Sequence, residues 1–282
     1  MNQVPTVTLN DGRSIPQLGF GVFQIEPADT AKAVGHALDA GYRHIDTAEM
    51  YGNEKEVGEA MRASGVDRDE VFLTSKLNNG VHRPEDARAA FDNTLADLGT
   101  DYVDLFLIHW PLPTRYDGDF VSTWRALEAF HRDGRARSIG VSNFQVPHLQ
   151  RLAAESDTVP AVNQIEAHPY FTNDEVRAYG RAHRMVTEAW SPIAQGAVLG
   201  DPVVERVAGK VGRTPAQVVL RWHIQRGDVV FPKSTTPARI EENFGLFDFS
   251  LDEPDVEAIT ALNRGEGGRI GPNPDTFDHI PS

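Results

Sequence analysis

The chain has 282 residues, 40% hydrophobic and 24% charged, an ordinary globular composition that suits two average domains or one α/β barrel of about 250 residues. The formal net charge of −14 argues against a broad nucleic-acid-binding surface. The absence of cysteine excludes disulfides and thiolate chemistry and fits a reducing, cytoplasmic compartment, and no apolar run approaches the roughly 18 residues of a membrane-spanning helix.

The first residues show no basic stretch leading into an apolar one, so no signal peptide is expected. Thr6-Val7-Thr8-Leu9, the turn Asn10-Asp11-Gly12 and the return Ser14-Ile15-Pro16 predict a β-hairpin. Residues 18–22 form a short apolar strand, and 27–40 a helix closed by Gly41. Strands then follow at 44–46, 71–75, 103–108, 136–141, 161–165, 185–189 and 229–231. Helices are expected at 54–63, 84–98, 120–132, 146–154, 173–183, 214–226 and 237–243. Two segments, 201–210 and 251–262, read as extra helices, and the Gly- and Pro-rich tail 263–282 as a loop. Eight short apolar strands alternating with helices predict a parallel sheet closed into a (β/α)8 TIM barrel, with an N-terminal β-hairpin and two extra helices, as one domain over 1–282. An open doubly wound sheet is the alternative, and it normally carries phosphate-binding glycines after its first strand.

Barrel enzymes place their chemistry at the carboxyl ends of the strands. In strand order those ends carry Gly21, Val22 and Phe23, then Asp46 and Tyr51, Lys76, His109 and Trp110, Ser142 and Asn143, Gln164 and Glu166, Trp190 and Ser191, and Lys233 and Ser234. Asp46, Tyr51, Lys76 and His109 each have a bland explanation: a helix cap, a loop tyrosine, a solvated strand end, a core imidazole. Four titratable groups at consecutive strand ends point together to catalysis. The set suits carbonyl reduction. A tyrosine titrates near 10 and needs an adjacent cation to act as an acid at neutral pH; Lys76 would supply it, Asp46 would hold the ammonium, and His109 would polarise the substrate oxygen. Further on, Lys233, Ser234, Thr235 and Arg239 surround a helix start, where cations and backbone N–H groups suit a phosphate.

The chain resembles the aldo-keto reductase family nearly end to end. The resemblance rests on Gly41-Tyr42-Arg43-His44-Ile45-Asp46-Thr47-Ala48 with Tyr51-Gly52-Asn53-Glu54, on Leu107-Ile108-His109-Trp110-Pro111, on Gly140-Val141-Ser142-Asn143-Phe144, on Asn163-Gln164 and on Pro232-Lys233-Ser234. It implies a TIM barrel, the tetrad Asp46, Tyr51, Lys76 and His109, and NADPH-dependent hydride transfer to an aldehyde or ketone. It also implies that Ser142, Asn143 and Gln164 hold the nicotinamide carboxamide and that Trp190 stacks on the ring, with Gly21, Val22 and Ser191 nearby. Lys233, Ser234, Thr235 and Arg239 would take the adenosine 2′-phosphate, and Glu242 and Asn243 the adenine. Trp190, and Gly21-Val22-Phe23 where many members have Gly-Thr-Trp, are similar to the bacterial 2,5-diketo-gluconate reductase branch. Phe23, Met50 and Trp110 are the expected pocket walls for small dicarbonyls, keto-sugars or aromatic aldehydes, and the short Asn78-Asn79-Gly80 is expected to leave one wall open. A monomer is the family-level expectation, and a small-molecule carbonyl substrate with no nucleic-acid or membrane partner is expected.

Three other readings fit the residues less well. Tyr51-Gly52-Asn53-Glu54-Lys55 also spells the Tyr-x-x-x-Lys of short-chain dehydrogenases, but no Gly-x-Gly-x-x-Gly follows a strand, which leaves Lys55 on the surface. The ten histidines show no metal-ligand spacing. A non-catalytic NADPH-binding module of the same fold does not need Tyr51 or His109.

Overall fold

A computed structural model of the chain describes residues 4–281. β1 (Thr6–Thr8) and β2 (Ser14–Pro16) form the antiparallel hairpin. Eight parallel strands follow: β3 (Phe20–Gly21), β4 (His44–Asp46), β5 (Phe72–Leu77), β6 (Val103–Ile108), β7 (Ala136–Ser142), β8 (Val162–Glu166), β9 (Val186–Trp190) and β10 (Val229–Val230). They pair in chain order, and the ends meet where the Gly19 N–H donates to Val230 O at 2.7 Å and the Val230 N–H to Gln17 O at 3.1 Å. That contact closes the TIM barrel. Leu9 and Ile15 of the hairpin segment pack with Phe72, Val162 and Val229, at the amino ends of β5, β8 and β10. The hairpin thereby plugs one end of the barrel and leaves the carboxyl end for function.

The helices that cover the barrel are α1 (Pro27–Ala40), α2 (Glu54–Ala63), α3 (Pro84–Leu98), α4 (Phe120–Arg132), α5 (Val146–Glu155), α6 (Asp174–Ala182), α7 (Pro202–Val211), α8 (Pro215–Gln225), α9 (Pro237–Phe244) and α10 (Glu253–Thr260). Many begin with proline, whose missing N–H costs nothing in a first turn. The extra helices α7 and α10 bury Val204, Val207 and Ile259 with Val218 and Trp222 of α8, in a cluster apart from the main core.

The expected order of elements holds, with boundary corrections. β5 runs to Leu77, so Lys76 lies within the strand, and Ser142, Glu166 and Trp190 end β7, β8 and β9 instead of following them. Polar residues that look like strand ends are barrel-interior positions, where the parallel ladder continues beneath a buried polar side chain. β3 and β10 are shorter than expected, at two residues each. The tail has one turn of 3-10 helix, Gly265–Gly268, and then runs back across the barrel.

Candidate active site

The carboxyl end of the barrel is built around Lys76, a lysine with no solvent exposure. Its Nζ donates to Asp46 Oδ1 at 2.7 Å, to Thr47 O at 2.9 Å and to Tyr51 Oη at 3.3 Å. These partners use all three ammonium donors, which is how a buried lysine stays charged. Asp46 and Lys76 face each other across the barrel edge from β4 and β5. Tyr51 is placed by a single 3-10 turn, Glu49–Tyr51, which Gly52 ends at φ 66°, a left-handed conformation that suits glycine. Buried Asn53 ties this loop to the first barrel strand: its Nδ2 donates to Val22 O and Ile25 O, both at 3.1 Å, and its Oδ1 accepts from Thr47. The ring of His109 lies edge-on to Tyr51, with centroids 5.6 Å apart. All four expected residues therefore converge. Lys55 is exposed and takes no part.

Burial would lower Lys76, but Asp46 and then Tyr51 hold it above the usual lysine range. Burial pushes the Tyr51 phenol up, the Lys76 ammonium pulls it back and Asp46 pushes it up again; the net direction is upward. The expectation that Lys76 alone would make Tyr51 a stronger acid is thus met only in the direction of the lysine's pull. His109 is held well below its usual range by burial, with the charge of Lys76 second. Its Nδ1 is buried without a hydrogen-bond partner among the described residues. A bare lone pair is cheaper to bury than a bare N–H, so the proton belongs on Nε2.

Next to this cluster lies a polar network. Asn143, at φ 65°, donates from Nδ2 to His109 O and to Ser142 Oγ, and its Oδ1 accepts the Trp190 indole N–H at 2.8 Å. Ser142 Oγ donates to Gln164 O. Both amide hydrogens of Gln164 are used, one on Asp46 Oδ2 at 2.8 Å and one on Glu188 Oε2 at 2.9 Å, so its remaining function is to accept through its carbonyl. Gly21 and Val22 are buried beside the site and Ser191, at φ 50°, is half-buried.

A second group sits at the start of α9. Lys233, Thr235 and Arg239 are exposed, and neither cation pairs with an acidic side chain among the described residues. Ser234 is buried and its Oγ accepts the Thr236 N–H at 3.1 Å. Thr236 makes no side-chain cap, Pro237 has no N–H, and the Arg239 N–H donates to Thr236 O at 3.0 Å. Two cations without an acidic partner among the described residues, beside a helix start on a chain of net charge −14, fit a phosphate. Asn243 is half-buried; Glu242 is also half-buried and accepts from Thr214 Oγ1 at 2.9 Å.

The expected pocket residues sit at different depths. Phe23 is exposed and tilted against Tyr51 at 5.0 Å, and Met50 is half-buried. Trp110 is 8% exposed because Phe277 of the tail packs on it at 4.2 Å. The wall at Asn78-Asn79-Gly80 is closed, not open: Asn79 Nδ2 donates to His279 O, Tyr116 Oη donates to Asn79 O, and Arg115 pairs with Asp278 at 3.2 Å.

Sequence reasoning gave no role to two acids. Glu166 fixes the tail, accepting the backbone N–H of Ile270 and Gly271 while Oε1 also meets His168 Nε2 at 3.0 Å. Glu188 lies fully buried within β9. A carboxylate inside the apolar run 185–189 is the signal that could have found the latter. Among the described residues no acid or histidine cluster could hold a metal ion, and no helix is long and apolar enough to cross a membrane.

The profile of the Aldo/keto reductase family matches residues 17–264. The chain is 50% identical over 274 residues to an aldo-keto reductase of Mycolicibacterium smegmatis, covering 97% of this chain and 98% of that one. It is 47% identical to the methylglyoxal reductase DkgA of Yersinia pestis over 98% of this chain and 99% of the relative. Its structure is similar to that of a Gox0644 variant in complex with NADPH, with a TM-score of 0.93 and 41% identity over 98% and 99% of the two chains.

Proposed function

The chain belongs to the aldo/keto reductase family, and we propose that as a single barrel domain it reduces aldehydes and ketones to alcohols with NADPH. The observation that carries this reading is the Lys76 ammonium held within hydrogen-bond reach of both Asp46 and Tyr51. Bound NADPH supplies the hydride that the carbonyl carbon receives. Tyr51, kept protonated by burial, gives its phenolic proton to the carbonyl oxygen. Lys76 stabilises the tyrosinate left behind, and Asp46 keeps that ammonium in place. Neutral His109 donates its Nε2 hydrogen to the same oxygen and orients the substrate. Water reprotonates Tyr51.

Ser142, Asn143, Gln164 and Trp190 would hold the nicotinamide end, beside Gly21, Val22 and Ser191. Lys233, Ser234, Thr235 and Arg239 would take the 2′-phosphate, and Glu242 and Asn243 the adenine. Phe23, Met50 and Trp110, with Phe277, would line the substrate pocket. Small dicarbonyls are favoured because the tail narrows the mouth and because of the likeness to a methylglyoxal reductase. A binding-only module does not require a tyrosine on a buried lysine.

The test is turnover of methylglyoxal, a keto-sugar and an aromatic aldehyde with NADPH, beside NADPH binding followed by tryptophan fluorescence. Oxidation of NADPH with at least one carbonyl is expected. Tight NADPH binding with no turnover across all three would overturn the proposal in favour of the binding-only module.

A further inference from the structure

Glu188 is the acid at this site that the reaction above leaves unused. It projects from the middle of β9 with no solvent exposure. One oxygen, Oε2, accepts an N–H of Gln164 at 2.9 Å, and the other N–H of that amide goes to Asp46 Oδ2 at 2.8 Å. The second oxygen, Oε1, makes no hydrogen bond among the described residues, and His44 Nε2 stands 3.6 Å from it. An unbroken chain of contacts therefore runs from Glu188 through Gln164, Asp46 and Lys76 to Tyr51.

Two carboxyl groups joined by one amide in a fully buried interior cannot both carry charge without a cation each. The titratable groups facing Glu188 are His44 and Asp46 from β4 and Lys76 from β5. Burial drives His44 down to about 3, so it brings no charge. Among the described residues facing Glu188, Lys76 is the one cation, and it sits 2.7 Å from Asp46. Burial raises Asp46 as well, but the Lys76 ammonium and the Gln164 N–H on it oppose that rise, which makes Asp46 the ionised member and Glu188 the neutral one. Burial, reinforced by the Asp46 charge, pushes Glu188 up to about 8.

We propose that Glu188 is a positioning residue for carbonyl reduction: its neutral carboxyl clamps the Gln164 amide against Asp46 and so fixes the carboxylate that orients Lys76 and Tyr51. The proposal rests on the reading of the site given above. Ionising Glu188 brings a second negative charge to the clamp. That charge competes with Asp46 and Tyr51 for the Lys76 ammonium, and turnover falls as pH rises.

The experiment compares the full-length wild type, Glu188→Gln and Glu188→Leu, with Tyr51→Phe as control. The readouts are the pH profile of kcat and KM, thermal unfolding, and the infrared carbonyl band of protonated carboxyls in the free protein. Wild type should lose kcat as pH rises through about 8, and Glu188→Gln, neutral at every pH, should lack that limb while keeping near-wild-type kcat at about pH 6.5. The wild-type-minus-Gln infrared difference should show a protonated acid that disappears over the same range. Glu188→Leu should lose about tenfold or more in kcat with little change in KM. If Glu188→Leu does not fold, the Gln profile and the infrared difference still decide. An alkaline limb that persists in Glu188→Gln, no protonated Glu188 in the infrared at neutral pH, or a folded Leu variant with wild-type kcat each overturns the proposal. Undiminished turnover in Tyr51→Phe would instead sink the reading of the site itself.

Discussion

Glu166 and Gly271, 105 residues apart, meet through a 2.9 Å hydrogen bond from the Gly271 N–H to Glu166 Oε2. A Cβ at Gly271 would stand 2.4 Å from Trp190 Cη2 and 2.9 Å from Glu166 Oε2, so only glycine lets the backbone pass this close to the indole. With the Ile270 N–H on the same carboxylate, the contact fixes the tail over the barrel mouth. Glu166→Ala leaves two backbone donors without a partner and should cost about 1–3 kcal/mol locally. Hydrogen exchange at the Ile270 and Gly271 amides should accelerate and limited proteolysis should cut the tail sooner. Unchanged protection would exclude Glu166 as the anchor.

Tyr51→Phe removes the hydroxyl proposed as proton donor while keeping the ring that packs on Phe23 and faces His109. We expect kcat to fall by about a hundredfold or more with the NADPH dissociation constant unchanged. Steady-state kinetics beside fluorescence titration separates the two quantities.

Lys76 and Asp46 form a fully buried pair, with side chains 0% and 2% exposed. Lys76→Met or Asp46→Asn alone leaves a buried charge without its counter-ion and should destabilise by about 3–5 kcal/mol. The double variant removes both charges and should be more stable than the Lys76→Met single. Urea unfolding of the three proteins checks this, and additive losses would mean that the two charges do not depend on each other.

The free cations at the start of α9 predict cofactor choice. NADPH should be used at least about tenfold better than NADH, and Lys233→Ala with Arg239→Ala should shrink that ratio without touching the NADH constants. The ratio of kcat/KM for the two cofactors measures it. Equal use by wild type would sink the phosphate role of Lys233 and Arg239.

Glu54 is 4% exposed and is bound by the Ser75 and Thr94 hydroxyls at 2.5 and 3.1 Å. Burial pushes it from 4.5 up to about 7. An acid whose folded pKa is raised binds more protons when folded, so its contribution is full at low pH and is lost as pH rises from about 4.5 to about 7. The loss is on the order of 3 kcal/mol. Glu54→Gln should flatten the decline of thermal stability in that window, leaving the part that Glu188 contributes. An identical pH dependence in both proteins would show that Glu54 is not protonated in the folded state.

Much of this was legible in one dimension. α1, α2, α3 and α4 begin and end where proline, glycine and apolar periodicity place them, because those signals act through local backbone sterics and one-sided burial. Asp46, Tyr51, Lys76 and His109 were found because strand order alone brings successive strand ends together in a barrel. The strand ends themselves were misplaced at Lys76, Ser142, Glu166 and Trp190, since a polar side chain inside a barrel and one in a loop look alike until the partner strand is known.

The sequence by itself determined the strand–helix alternation, the strand ends that carry the tetrad and the cation-bearing start of α9. Local propensity and the period of burial are written in neighbouring residues. Only the tertiary structure decided how those groups act: that Lys76 spends its donors on Asp46, Thr47 and Tyr51, that Gln164 links Asp46 to Glu188, and that the tail closes the wall at Asn79. Charge state and access depend on distance and on water exclusion across the barrel, and those are set by contacts between residues far apart in the chain.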